Sequence, residues 1–273
     1  MIKEEREKKR EWEEKKEKRK KKMLRNPLEQ FIITDLISTS LPILSINKIS
    51  ITNLGLYLII GLVLVTLLSQ LVTNITSIVG NKSYLIKESL YDTINKIVRD
   101  QIGSANEIYL PYLYSIFVLI LISNLVGMVP YSFTPTSHLA LTLSLSVSIL
   151  IGVTIIGLVK HKLVFFSLLV PAGTPLGLVP LLVIIESISY LARAVSLGVR
   201  LGANIIAGHT LLKILSTFLY QFMKGSVLSA IIGLLPMLIF SLLVGLELGI
   251  AFLQAIVFVI LASSYIKDAI YLH

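Results

Sequence analysis

The chain has 273 residues, of which 55% are hydrophobic and 15% are charged, and its formal net charge is +9. A soluble domain of this length has a more even balance of apolar and charged side chains. Cysteine is absent, which excludes disulfides, thiol catalysis and cysteine-ligated metal sites.

The first 25 residues form a charged segment that differs from the rest of the chain. They hold 13 of the 25 Lys and Arg residues and 7 of the 16 Asp and Glu residues. Such alternation predicts a solvated charged helix or a disordered tail, with a basic lipid-binding arm as the alternative. Because the positive charge is concentrated here, without zinc-ligand spacing or aromatic interleaving, we expect no nucleic-acid partner.

Two elements of different character follow the tail. Residues 49–81 contain no charged side chain, and this run is long enough for one membrane-spanning helix of about 20 residues. Residues 82–103 instead combine apolar side chains at helical spacing with charged residues between them. This pattern predicts an amphipathic helix on the membrane surface.

The next charge-free run, residues 108–159, is long enough for two spans. Pro130 and Pro135 divide it, which predicts a transmembrane hairpin, and the basic cluster Lys160-His161-Lys162 ends the hairpin at a membrane surface. Prolines and a glycine interrupt residues 171–180, which favours a re-entrant or broken element.

Two long apolar helices are predicted over about residues 180–215 and 227–271. At about 1.5 Å of rise per residue, each exceeds a perpendicular crossing of about 30 Å, so both are expected to tilt strongly. The expected fold is therefore an all-α polytopic membrane protein. Inner loops richer in lysine and arginine predict an N-terminus on the outer side, an orientation that the basic tail opposes.

Ionisable side chains recur at seven-residue intervals within the two long helices. Seven residues turn a helix by about 700°, within about 20° of two full turns. Glu186, Arg193 and Arg200 therefore share a stripe, and Asn204 joins it one turn later. The last helix carries a second stripe of Glu247, Gln254 and Asp268.

Charges inside a bilayer are costly, about 2.5–3.5 kcal/mol each on insertion scales, so their repetition suggests a function. The alternative is snorkelling near a helix end or ion pairs that stabilise the bundle. Apolar sequence surrounds Arg200 and Glu247, which makes the alternative weakest for these two.

Small residues frame both of these charges. Arg200 lies between Gly198 and Gly202, and Glu247 lies between Gly245 and Gly249. Small-xxx-small spacing lets another helix approach closely, which predicts a partner helix passing at these positions. Plain packing between helices is the alternative.

Two further polar residues allow either interpretation. His209 lies about 180° from Arg200, so it is a hydrogen-bonded packing residue or part of a proton path that Glu247 could reach. Asn124, in the hairpin, is a polar step in such a path or an interhelical hydrogen-bond donor.

The segment Tyr190–His209, with its core Ser-Leu-Gly-Val-Arg-Leu-Gly-Ala-Asn, closely resembles the signature of the a-subunit family of F-type ATP synthases. The segments 26–31, 165–175 and 264–273 resemble the fungal mitochondrial branch of that family. The resemblance covers residues 26–273, the expected membrane-embedded domain. Residues 1–25 fall outside it, and we expect them to be absent from the mature chain.

The resemblance implies a non-catalytic, proton-conducting stator subunit in the mitochondrial inner membrane. It implies a ring of c subunits, other membrane and peripheral-stalk subunits and the lipid bilayer as partners, and neither cofactor nor metal. Two aqueous half-channels beside the ring would couple proton flow to rotation and ATP synthesis.

The family's functional positions map onto this sequence one by one. Arg200 matches the essential arginine that faces the c-ring. The half-channel open to the intermembrane space matches Glu247, His209, Asn204 and Asn124, and the matrix half-channel matches Glu186 and Asp268. Gln254 matches a glutamine near the arginine, and Arg193 matches a supporting basic position.

Two other classes remain compatible with the residues alone. A secondary transporter would place its site at broken helices, as the proline-rich segment at 171–180 suggests, although no repeated half is visible. An intramembrane enzyme would need a nucleophile or a carboxylate pair, whereas the spacing pairs arginine with glutamate.

Overall fold

The computed structural model describes residues 27–39, 49–72, 82–129, 132–170, 176–224 and 233–271. Six α-helices lie in these ranges: α1 (Asn53–Val72), α2 (Lys82–Ile102), α3 (Leu110–Gly127), α4 (Leu139–His161), α5 (Val179–Met223) and α6 (Leu234–Ile270). The predicted helical membrane architecture is confirmed. The predicted tail, residues 1–25, lies outside the described residues, and its removal stays a prediction.

Within the described ranges, four helical segments are long and apolar enough to cross a membrane: Ser104–Gly127, Leu139–His161, Val179–Tyr220 and Leu234–Ile270. The first begins in a 3₁₀ helix, Ser104–Tyr109, that leads directly into α3. Helix α1, with 20 residues, occupies the place of the predicted N-terminal span. The chain is therefore a multi-pass membrane protein.

Helix α5 runs past its predicted end at about residue 215, whereas α6 lies within its predicted bounds of about 227–271. Helix α5 has 45 residues and α6 has 37. At about 1.5 Å per residue they are about 67 and 55 Å long, so neither fits upright in an apolar layer of about 30 Å. Residues 171–175, at the centre of the predicted broken element, lie outside the described residues, and 3₁₀ helices flank them at Lys162–Leu169 and Leu176–Leu178.

A short antiparallel β-ribbon departs from the all-α expectation. Strand β1 (Asp35–Thr39) pairs with β2 (Ile49–Thr52), which runs directly into α1. The Ser50 hydroxyl donates a hydrogen bond of 2.9 Å to the Asp35 carboxylate across the ribbon. Strands of four and five residues carry too little periodicity to be separated from the adjacent apolar run by sequence alone.

The described residues belong to two compact units. One contains residues 27–34, 206–224 and 233–247, and the other contains residues 35–205 and 248–271 within the described ranges. The core of the larger unit includes Phe117, Ile120, Leu201, Phe258 and Val259, all almost fully buried. Helix α2 contributes Ile94, Val98 and Ile102 to this core, which confirms its amphipathic character.

Candidate functional site: two polar clusters and an exposed arginine

The smaller unit holds a pair formed by His209 on α5 and Glu247 on α6. His209 Nδ1 lies 3.4 Å from Glu247 Oε1, and the carboxylate side chain is only 6% exposed. The prediction that Glu247 can reach His209 is therefore confirmed. A carboxyl and an imidazole at this distance can exchange a proton after a small movement.

Two neighbours that sequence reasoning missed shape this pair. A Cβ added to Gly208 would lie 2.8 Å from Glu247 Oε1, so the glycine allows the carboxyl to sit against the helix backbone. The Phe31 ring meets the His209 ring edge to face, with centroids 6.4 Å apart. Both residues lie within segments that carry the family resemblance. Neither is ionisable, so they do not belong to the charged stripes that predicted the site.

The larger unit holds a cluster centred on Arg193. Its guanidinium lies 3.2 Å from Glu186 Oε1 and 3.3 Å from Asp268 Oδ2. Each side chain in the cluster is about one third exposed. Glu186 and Asp268 therefore lie in one cluster, joined by Arg193, which was predicted only as a supporting residue, and their shared role in a matrix half-channel stays a prediction.

A small cavity adjoins this cluster and brings in Tyr190, which the sequence did not single out. The cavity has a volume of about 10 Å³ and is lined by Tyr190, Arg193, Tyr265 and Asp268 among others. The Tyr190 hydroxyl is buried and has no hydrogen-bond partner among the described residues. This volume is at the lower limit of the space that one water molecule needs.

The predicted amides form two further contacts. Asn204 Nδ2 donates to Gln254 Oε1 at 3.1 Å, which joins α5 to α6. Asn124 is buried, donates to the Ala251 carbonyl at 3.2 Å and accepts from the Thr136 hydroxyl at 2.7 Å. The structural alternative for Asn124, an interhelical hydrogen bond, is thus observed, and its predicted place in a proton path stays a prediction.

Arg200 differs from Arg193 in its surroundings. Although it lies on the same stripe, it is exposed, and no ion-pair or hydrogen-bond partner for it occurs in the described part of the chain. Arg193 is neutralised by two carboxylates, whereas Arg200 has no carboxylate partner among the described residues. A cation of this kind in an apolar helix requires a partner from outside the chain or a path to water.

The prediction that Gly198 and Gly202 admit a partner helix beside Arg200 was wrong about which helix packs there. A Cβ on Gly198 would lie 2.6 Å from Ser146 Oγ and 2.8 Å from the Thr142 carbonyl oxygen, both on α4. A Cβ on Gly202 would lie 2.9 Å from Leu139. These glycines therefore pack α5 against the chain's own α4, because residues two positions from Arg200 lie on the opposite side of the helix.

Gly245 and Gly249 behave differently, since a Cβ at either position meets no atom within 4 Å. Within the described residues they have no close-packed neighbour, and the prediction that they admit a partner helix stays open. Both lie about 160° around α6 from Glu247, so they cannot share its surroundings.

The chain matches known proteins over most of its length. A family model described as ATP synthase A chain matches residues 55–267. The chain is 54% identical to ATP synthase subunit a of Podospora anserina over 91% of this chain and 94% of that protein. It is 50% identical to ATP synthase subunit a of Mycosarcoma maydis, over 92% and 99% of the two chains, and 53% identical to that of Neurospora crassa, over 91% and 95%.

The family match covers all of α5, most of α6 and every polar residue of the clusters described above except Asp268, which follows its last residue. The matches extend far beyond one motif. Because they cover almost the whole length of each relative, these relatives have no second membrane domain. The chain belongs to the ATP synthase A chain family, whose members form the proton channel of the Fo sector.

Proposed function

We propose that this chain is the non-catalytic, proton-conducting stator subunit of an ATP synthase in the mitochondrial inner membrane. It lies beside a ring of c subunits and forms two aqueous half-channels with it. Other membrane and peripheral-stalk subunits hold it in place. The resemblance to fungal mitochondrial members and the fungal origin of the relatives support this location.

The observation that carries the proposal is the exposed guanidinium of Arg200 within an apolar helix, which has no ion-pair partner in the described ranges. An uncompensated charge at mid-membrane costs about 2.5–3.5 kcal/mol on insertion scales. A carboxylate arriving on a neighbouring subunit would offset that cost. Ser196 and Ala203, both exposed and one turn to either side of Arg200, leave room for a neighbouring helix to approach.

The chemistry of arginine explains its use at this position. A guanidinium stays protonated at any accessible pH, so Arg200 cannot relay protons and acts as a barrier between the half-channels. It attracts the ionised carboxylate of an arriving c subunit and releases that group once it is protonated. Each proton crossing about 100 mV releases about 2.3 kcal/mol, which many protons per turn convert into rotation.

The two polar clusters serve as the proton-exchange sites. We assign the His209–Glu247 pair to the half-channel open to the intermembrane space, because its two groups can pass a proton between them. We assign Glu186 and Asp268 to the matrix half-channel, where the Arg193 guanidinium lies within 3.3 Å of both carboxylates. Asn124, Asn204 and Gln254 provide polar steps and hold the helices in register.

Family membership favours this function over the transporter and the intramembrane enzyme that the residues alone left open. A transporter would need a substrate site, and an enzyme a nucleophile or a carboxylate pair. The carboxylates Glu186 and Asp268 are instead bridged by a cation.

The test is proton-driven ATP synthesis in vesicles that contain the assembled complex. R200A and R200K should both reduce coupled synthesis to background, because the first lacks the charge and the second carries an amine that can lose its proton when buried. R99A is the matched control, since Arg99 is exposed on α2 and paired with Glu107. Near-normal synthesis by either Arg200 variant in an assembled complex would overturn the proposal.

A further inference from the structure

Three helix C-termini meet at one edge of the larger unit. His161, at the end of α4, makes a hydrogen bond of 2.9 Å from Nε2 to the Ile270 carbonyl, at the end of α6. The hydroxyl of the next residue, Tyr271, accepts a hydrogen bond of 3.2 Å from Asn106. Gly103, the residue after α2, lies against the same hydroxyl. Since α2 is amphipathic, this edge lies at a membrane surface.

Three exposed lysines lie at this edge, and we name them the lysine cluster: Lys160, Lys162 and Lys267. Lys160 Nζ lies 5.6 Å from the centroid of the Tyr271 ring, and Lys267 is one helical turn before Tyr271. None of the three has an ion-pair partner in the described ranges, whereas Lys96 and Arg99 on α2 are both paired with carboxylates.

The backbone at Lys162 is strained. Its φ of 52° is the one positive φ of a non-glycine residue among the described residues. Such a conformation costs about 1–3 kcal/mol and persists where the surrounding structure holds it. A glycine would adopt it freely, so the presence of lysine at this turn indicates that its side chain is used.

An apolar stripe leads from the lysine cluster into the membrane. Val147, Ile151, Ile155 and Val159 are all exposed and follow one another at four-residue intervals along α4. They span about 18 Å of helix, which is close to the hydrocarbon thickness of one leaflet, about 15 Å. A charged end beside an apolar stripe of leaflet length matches the two parts of a phospholipid.

We propose that the lysine cluster binds the phosphate headgroup of an anionic phospholipid, whose acyl chain lies along the exposed stripe of α4. Lysine ammonium groups donate to phosphate oxygens, and the hydrogen bond between His161 and the Ile270 carbonyl fixes the spacing of the helix ends that carry the lysines. Basic sites between transmembrane helices at a membrane surface are suited to such headgroups. Lys267 directly precedes Asp268 of the proposed matrix half-channel, so the site adjoins that half-channel without including its ionisable groups.

A local explanation competes with this one. Cations near helix C-termini are favoured by the helix dipole, which would account for lysines at the ends of α4 and α6 without any ligand. That role predicts a loss of stability on substitution in any lipid. A lipid site predicts effects that depend on anionic lipid.

The test uses the assembled complex in vesicles of phosphatidylcholine that contain phosphatidylglycerol with a nitroxide on its acyl chain. Electron paramagnetic resonance measures the motionally restricted fraction, and unlabelled phosphatidylglycerol competes for it. At about a fivefold loss of affinity per lysine, K160Q/K267Q should need about twenty-five-fold more lipid to fill the site. K82Q/K87Q, which removes two α2 lysines that have no ion-pair partner among the described residues, should leave this site unchanged.

Two further measurements separate the explanations. The unfolding temperature of K160Q/K267Q should lie below that of wild type only when phosphatidylglycerol is present. An equal decrease in pure phosphatidylcholine would show that the lysines stabilise the helix dipole, and it would overturn the proposal. K162G should weaken lipid binding about fivefold while unfolding no more easily in phosphatidylcholine. Equal restricted fractions for wild type and K160Q/K267Q, or displacement of the labelled lipid by millimolar inorganic phosphate, would also overturn it.

Discussion

His209 Nδ1 and Glu247 Oε1 lie 3.4 Å apart, although the two residues come from different helices and are separated by 37 intervening positions in sequence. The contact depends on Gly208, which leaves space for the carboxyl beside the α5 backbone. The pair brings together two side chains that are able to gain and lose protons.

We expect H209Q and E247Q to slow proton transport strongly and non-additively. Positioned acid–base groups contribute about 10²–10⁴-fold to proton-transfer rates, so E247Q should lower the rate about a hundredfold or more. If the two residues act as one relay, the double variant will be no slower than E247Q. The measurement is ATP-driven acidification of vesicles containing the assembled complex, with ATP hydrolysis by the released head as control. If the decrease in rate of the double variant equals the product of the two single decreases, the residues act independently and not as one relay.

We expect G198A to destabilise the chain, because its Cβ would overlap the α4 backbone at Thr142. Overpacking of this kind costs about 1–3 kcal/mol. G152A is the matched control, since Gly152 lies on α4, where a Cβ meets no neighbour within 4 Å, and alanine favours helix. The measurement is the unfolding temperature of the assembled complex with G198A and with G152A.

A complex with G198A that unfolds at the wild-type temperature would show that α4 and α5 can separate without cost. Loss of ATP synthesis at unchanged unfolding temperature would instead assign Gly198 to a surface outside this chain.

We expect R193Q to destabilise the cluster that it bridges, because Glu186 and Asp268 would then face each other without a cation. The groups are about one third exposed, so the loss should be about 1 kcal/mol of unfolding free energy. The triple variant R193Q/E186Q/D268N should recover this stability, since it removes the unpaired charges together. Thermal unfolding measures stability, and proton pumping is measured on the same samples.

E186L and D268N separate structure from transport at the same cluster. Each leaves Arg193 with one carboxylate partner, so we expect assembly to survive while proton transport slows. Wild-type rates of ATP synthesis by assembled E186L would remove Glu186 from the path.

We expect His138 to make stability depend on pH. It lies between α3 and α4, stacks on Phe133 with ring centroids 5.2 Å apart, and has a buried Nε2 without a hydrogen-bond partner among the described residues. Burial lowers the pKa of His138 below its ordinary 6.5. The unfolded chain therefore binds the proton first, and stability falls as the pH drops through 6.5 toward the lowered native pKa.

H138F preserves the stack with Phe133 and removes the titration. The unfolding temperature of wild type should decrease more between pH 7.5 and pH 5.5 than that of H138F. The loss of unfolding free energy is about 1.4 kcal/mol for each unit of difference between the unfolded-state and native pKa values. An equal shift in both proteins would show that other groups cause the pH dependence.

The sequence by itself determined the membrane class, the order of the helices and the family. Charge-free runs as long as residues 108–159 can be solvated only by lipid, and helical periodicity in residues 82–103 forces one face inward. It also determined that Glu186 and Arg193 share a helix face, because seven residues are nearly two turns, and their contact of 3.2 Å confirms this.

Only the tertiary structure decided which face of each helix is covered. Arg193 and Arg200 are equivalent by spacing, yet Asp268 from α6 reaches only the first within the described residues, and the second stays exposed. Gly198 and Gly202 flank Arg200 in sequence but pack on α4, because positions two residues away point to the opposite side of a helix. Periodicity fixes angles around one helix axis, whereas contacts also depend on how helices cross and on which side chains the neighbouring helices supply at the crossing.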